Sequence, residues 1–114
     1  MIPLREIAFA RSGDKGNTAN VAVFGRTPAA YAWLRDNLTA AQVEDYFRPL
    51  GVGSVTRYDV PNLEALNFIL PHVLGGGGSR SLRIDAQGKA LGLAILEMNI
   101  DAPEALGTIL LPNE

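Results

Sequence analysis

A chain of 114 residues with 47% hydrophobic and 19% charged residues has the size and composition of one compact domain, which excludes a disordered chain or a coiled coil. Its 10 Lys and Arg against 12 Asp and Glu give a formal net charge of -2, leaving no basic excess to neutralise a nucleic-acid backbone. With no cysteine and a single histidine, His72, disulfides, thiol catalysis, Cys-ligated metals and a multi-histidine metal site are excluded together, and no cofactor is expected.

Taken in chain order, Leu4–Ala10 and Ala19–Gly25 read as neighbouring strands around a polar loop, Arg11–Asn17; Val21 and Val23 alternate with Ala22 and Phe24. Thr27 before Pro28 predicts a helix start, and Tyr31, Leu34 and Leu38 mark its apolar face. Thr39-Ala40-Ala41-Gln42 spells a capping box for a second helix, with Val43, Tyr46, Phe47 and Leu50 as its buried stripe and Gly51 as its left-handed stop. Val52–Val60 then reads as a strand closed by Pro61. Asn62 is expected to cap a third helix with Leu63, Leu66, Ile69 and Leu70 on one side, ended by Pro71. After four glycines, Arg80–Ile84 predicts a fourth strand and Asp85 caps a last helix through Met98, with Leu91, Ile95 and Met98 on one face. Gly88 and Gly92 weaken that helix by about 1 kcal/mol each relative to alanine. Leu106–Leu111 is an edge strand or a docking tail. The resulting order, ββααβαβα with an optional fifth strand, predicts an α+β sandwich: three to four helices on a mainly antiparallel sheet of four to five strands. No apolar run approaches a membrane span, and Met1-Ile2-Pro3-Leu4-Arg5 has no signal-peptide start, so a cytoplasmic location is expected.

Two glycine-bearing segments carry the candidate chemistry. In Arg11-Ser12-Gly13-Asp14-Lys15-Gly16-Asn17 the glycines could let backbone amides converge on an anion, with Arg11 and Lys15 adding charge and Asn17 and Asn20 neutral donors. Asp14 suits orienting Lys15 or acting as a general base; the alternative is a polar turn held by a local ion pair. Ser12 and Lys15 have the Ser-x-x-Lys spacing of penicillin-recognising enzymes, but the accompanying motifs are missing and a nucleophilic dyad is rejected. Gly75-Gly76-Gly77-Gly78-Ser79 lacks the Lys-Ser/Thr ending of a P-loop; it marks either a close backbone approach or a flexible connector. Asn67, in an otherwise apolar run, needs a hydrogen-bond partner if buried. His72, beside the glycines, is an acid–base candidate or an exposed helix end. Both glycine segments are expected to line one polar pocket.

Together ARSGDKGNTANVAV, WLRDNLTAAQVEDYF, RYDVPNLEALNF and LGGGGSRSLRIDAQGKAL resemble the C-terminal domain of the acyclic terpene utilisation protein family AtuA, over about Ile7 to Asp101. The resemblance implies a ferredoxin-like fold, in a rearranged version given the element order above. The family's larger members carry a further domain of several hundred residues, so a separate, larger AtuA-type subunit is the implied partner, with homo-oligomers expected in its absence. Catabolism of acyclic terpenoids on CoA thioesters is the implied setting, and an acyl-CoA or carboxylate the implied ligand. The residues that match the family pattern are Arg11–Asn17, Asn20, Asn62, Asn67 and Gly75–Gly78. An accessory binding module is the leading expectation. A small autonomous hydratase- or lyase-type enzyme using Asp14, Lys15 or His72, or a structural oligomerisation domain, are the alternatives.

Overall fold

In the computed structural model, which describes residues 1–15, 18–71 and 89–101, the chain runs β1 (Ile2–Pro3), β2 (Ala8–Lys15), β3 (Thr18–Gly25), α1 (Pro28–Asn37), α2 (Ala40–Phe47), β4 (Thr56–Val60), β5 (Ala65–Leu70), α3 (Lys89–Ile95) and β6 (Asn99–Ile100). The order within the larger sheet is β2-β3-β5-β4, antiparallel at every step. β1 and β6 form a separate two-stranded ribbon pairing Ile2 with Ile100. This is an α+β, ferredoxin-like architecture.

Alternation along the strands sorts the sheet into two faces. Val21 and Val23 of β3 lie opposite Phe68 and Leu66 of β5, and all four are buried. They share a core with Leu34 and Leu38 of the first helical region, Val43 and Phe47 of α2, and Leu91 and Ile95 of α3. The intervening residues, Phe9, Arg11, Phe24 and Tyr58 among them, point to the opposite, open face.

The helix starts form as their residues dictate. Thr27 Oγ1 accepts from the Ala30 amide at 3.0 Å. At Thr39 the capping box closes in both directions, Gln42 N to Thr39 Oγ1 at 3.1 Å and Thr39 N to Gln42 Oε1 at 2.9 Å. Gly51, with φ of 82°, makes the left-handed turn after Leu50. Leu91, Ile95 and Met98 are all buried, although α3 ends at Ile95 and Met98 follows in the turn to β6.

Tyr46, expected in the buried stripe of α2, is 37% exposed, and the buried residues of that helix are Val43 and Phe47. Three further expectations are corrected. The helix expected after Asn62 is β5: Pro61–Leu63 is a single 3-10 turn without a side-chain cap, and Glu64 takes a left-handed conformation (φ 53°) that stops helical winding. Leu66, Ile69 and Leu70 fit a helical spacing, but Leu66, Phe68 and Leu70 fit the strand period equally well. Pairing to β3 on one side and β4 on the other satisfies the backbone of this segment and decides for the strand. The expected order ββααβαβα is therefore replaced at this position by a second consecutive strand. Second, Arg11–Lys15 is not a loop; the β2 ladder continues to Lys15 opposite Thr18, because ladder bonds need no apolar side chains. Leu4–Glu6 at the other end is a 3-10 turn, so the whole strand lies further along the chain than expected. Third, the strand expected over Val52–Val60 is confined to Thr56–Val60. Arg80–Ile84, Asp85 and Leu106–Leu111 lie outside the described residues.

Candidate functional site

On the open face, register sets four-strand rows of residues. Phe9, Phe24, Ala65 and Val60 form one, Arg11, Ala22, Asn67 and Tyr58 the next, and Gly13, Asn20, Ile69 and Thr56 a third. The first row is apolar. Its Phe9 and Phe24 rings stack with centroids 5.0 Å apart and planes 4° from parallel, and Phe9 remains 46% exposed.

The second and third rows carry the polar groups. Asn20 Nδ2 donates to Asn67 Oδ1 at 3.2 Å, which joins β3 to β5 across the face. This bond leaves the Asn67 amide nitrogen and the Asn20 carbonyl oxygen without a further partner among the described residues. Gly13 gives Asn20 its space: a Cβ there would stand 3.3 Å from Asn20 Oδ1. Arg11 is exposed and makes no ion pair among the described residues. Arg26 likewise has no acidic partner among the described residues and donates to Arg5 O at 3.0 Å, whereas four other arginines are ion-paired. Arg5 pairs with Glu97, Arg35 with Asp36, Arg48 with Asp45, and Arg57 with Asp59. Ala22, between Arg11 and Asn67, carries the smallest side chain of its row.

Ser12 faces the other way. Its hydroxyl accepts from the Gly92 amide of α3 at 2.9 Å, so it ties helix to strand. Gly92 suits that approach: a Cβ there would lie 3.0 Å from Ser12 Oγ and 3.4 Å from Ser12 N, so Ser12 would have to give by a few tenths of an ångström. The glycine expected to weaken α3 thus serves its packing.

Of the candidate ligand residues, Arg11, Gly13, Asn20 and Asn67 come together on the open face, while Ser12 points to α3. Asp14 and Lys15 close β2 opposite Ala19 and Thr18. Gly13 lies in a paired strand and not in an amide nest; the positive-φ glycine among the described residues is Gly51. Gly16, Asn17, His72, Gly75, Gly76, Gly77, Gly78 and Ser79 lie outside the described residues, and with them the expected meeting of the two glycine segments. Asn67 is placed by a strand, not by the expected helix, and its partner is the Asn20 side chain. Sequence reasoning missed Phe9, Ala22, Phe24 and Tyr58. The alternation Phe9-Arg11-Gly13 was the signal, and ending the strand at Ala10 hid it.

Elsewhere, a cleft of about 60 Å³ lies among Trp33, Asn37, Leu38, Gln42, Ile100 and Asp101. It is too small for a metabolite. An open depression beside it carries the carboxylates Asp45 and Glu97, each already held by an arginine. There Tyr46 donates to Ala94 O at 2.7 Å, and burial together with the charge of Glu97 pushes its phenol above the ordinary range. Neither place favours an anion. The described residues include no group of three or more potential metal ligands and no helix long and apolar enough to cross a membrane.

Comparison with curated proteins and with solved structures gave no match. The family model of the AtuA ferredoxin-like domain matches residues 2–101. That span takes in both sheets and the three α-helices of the described residues, with the open face, and the chain belongs to the AtuA ferredoxin-like domain family.

Proposed function

We propose that this chain is a binding module that works with a larger AtuA-type subunit in the breakdown of acyclic terpenoid or related branched acids, and that it supplies part of an acyl-CoA or carboxylate site. Family membership supports the setting. The observation that carries the binding role is Arg11, a cation without an acidic partner among the described residues, on the same sheet face as the half-satisfied Asn20–Asn67 amide pair. A carboxylate or thioester oxygen completes both, because guanidinium and amide N–H groups are donors in search of an acceptor. The described cavities are small or acidic, which favours a ligand held on a surface that a partner closes.

The test is a titration with acyl-CoA and free acid, performed on the chain alone and with the large subunit, comparing wild type with Arg11→Gln and Lys15→Ala. Loss of one charged hydrogen bond is worth about 1.5–3 kcal/mol, so Arg11→Gln is expected to weaken binding roughly tenfold or more. Light scattering on the same samples is expected to show self-association of the chain alone and a mixed complex once the large subunit is added. Equal binding by wild type and Arg11→Gln, or no mixed complex, overturns the reading.

A further inference from the structure

Resting on the proposal that this chain binds an acid, the geometry points to the kind of acid: we infer that the open sheet face selects a carboxylate with an apolar body, its head over Ala22 between Arg11 and Asn67 and its body along the Phe9–Phe24–Ala65–Val60 row.

The face is segregated, and this is what orients the ligand. Adjacent strands stand about 4.8 Å apart, so Arg11 and Asn67, two strands from one another, flank a gap of roughly 10 Å with only the Ala22 methyl on its floor. A carboxylate fills such a gap. From one side it accepts from the Arg11 guanidinium, and from the other from the Asn67 amide nitrogen, which Asn20 leaves uncommitted by occupying the Asn67 oxygen. Any larger residue at position 22 would fill the floor.

One step along the strands toward Phe9, every side chain in the row is apolar, with Phe9, Phe24 and Val60 reaching the surface around the buried Ala65. The step on the other side presents Gly13, Asn20 and Thr56 around Ile69. An apolar body attached to a head at Ala22 therefore gains contact in one direction and meets amide and hydroxyl groups in the other. Phe9, half exposed on β2, and Phe24, stacked on it, form the wall against which such a body loses water. A short hydrophilic acid reaches Arg11 and Asn67 but not that row. Charge accounts for the head and the apolar row for selectivity.

The experiment is a titration of the full chain with sodium acetate and sodium octanoate, followed by the amide resonances of Ala22, Phe24 and the Asn67 side chain. Octanoate is expected to bind on the order of tenfold more tightly than acetate, since each methylene taken from water contributes a factor of roughly four when fully buried and less on an open face. Phe9→Ala is expected to bring octanoate down to the acetate level and to leave acetate unchanged, whereas Ala22→Leu is expected to abolish both. Circular dichroism and the thermal midpoint of each variant check that it folds. Equal affinity for the two acids, or an Ala22→Leu protein that folds and binds like wild type, overturns the inference and leaves the broader acid-binding reading standing. Absence of any binding by wild type overturns both. Shifts at Phe9 and Tyr58 that track protein concentration instead of octanoate would place a second copy on this face and also overturn it.

Discussion

Gly25, the last residue of β3, has no room for a side chain. A Cβ on it would come within 2.4 Å of Tyr31 N and 2.7 Å of Tyr31 Cα, both backbone atoms of α1 that cannot rotate away. Its amide is spent on Glu64 O at 3.1 Å, which holds the strand end in place against β5. Gly25→Ala must push α1 off the sheet, and an overpacking cost of about 3 kcal/mol is expected in chemical denaturation. Gly13→Ala serves as the control. There the nearest atom is the tip of the Asn20 side chain at 3.3 Å, so a change of no more than about 0.5–1 kcal/mol is expected. Equal effects at the two glycines would mean that α1 does not press on β3 as described.

Among the elements, α2 combines a strong local start with tertiary ties. Its capping box makes two hydrogen bonds without help from the rest of the fold. Thr39→Ala removes the acceptor for Gln42 N and is expected to cost about 1 kcal/mol, read as a lower urea midpoint at unchanged slope. An unchanged midpoint would show that packing alone sets this helix. The remaining ties come from distant segments: Glu44 Oε1 accepts from Val55 N at 2.9 Å, and the Tyr46 hydroxyl reaches Ala94 O. The end of α1 is treated in a similar way, because Arg57 of β4 donates to Arg35 O at 3.0 Å and Leu38 O at 2.8 Å. Those two carbonyls are at the helix end, where a cation is favourable.

At the scale of the whole molecule, β3 and β5 are each paired on both sides, while β4 is paired on one among the described residues. Central strands with a fully buried face open only with global unfolding. Hydrogen exchange is therefore expected to be slowest over Thr18–Gly25 and Ala65–Leu70 and faster over Thr56–Val60. Exchange over Ala65–Leu70 as fast as over Thr56–Val60 would contradict its central place. The N-terminal segment is joined to the segment that follows α3 by the small ribbon. Leu4 N donates to Met98 O at 2.8 Å, Arg5 N to Leu96 O at 2.9 Å, and the Arg5–Glu97 pair closes at 2.7 Å on the surface.

What the sequence by itself determined lies within a few residues of its cause. Thr27, Thr39 and Gly51 act on amides and dihedral angles of their own turn, and the Val21–Val23 alternation sets a strand without knowledge of its partners. Leu91, Ile95 and Met98 declared their buried face by spacing alone. Arg11, Gly13 and Asn20 were visible as candidates because glycines, charge and amides between two strands suit an anion, and Asn67 because an amide in an apolar run needs a partner. Only the tertiary structure decided which of them meet. Asn20 and Asn67 are 47 residues apart, and Ser12 and Gly92 are 80 apart, so no local pattern distinguishes the one serine that ties down a helix from the arginine beside it that faces solvent. Ala65–Leu70 was open to both periods, and the ladder bonds from β3 and β4 made it a strand. Pairing with β3 also extends β2 to Lys15, and the extension is what turns a polar stretch into one side of an amphipathic face. Local hydrogen bonds are encoded where they form; a sheet face exists only once several distant strands have agreed on a register.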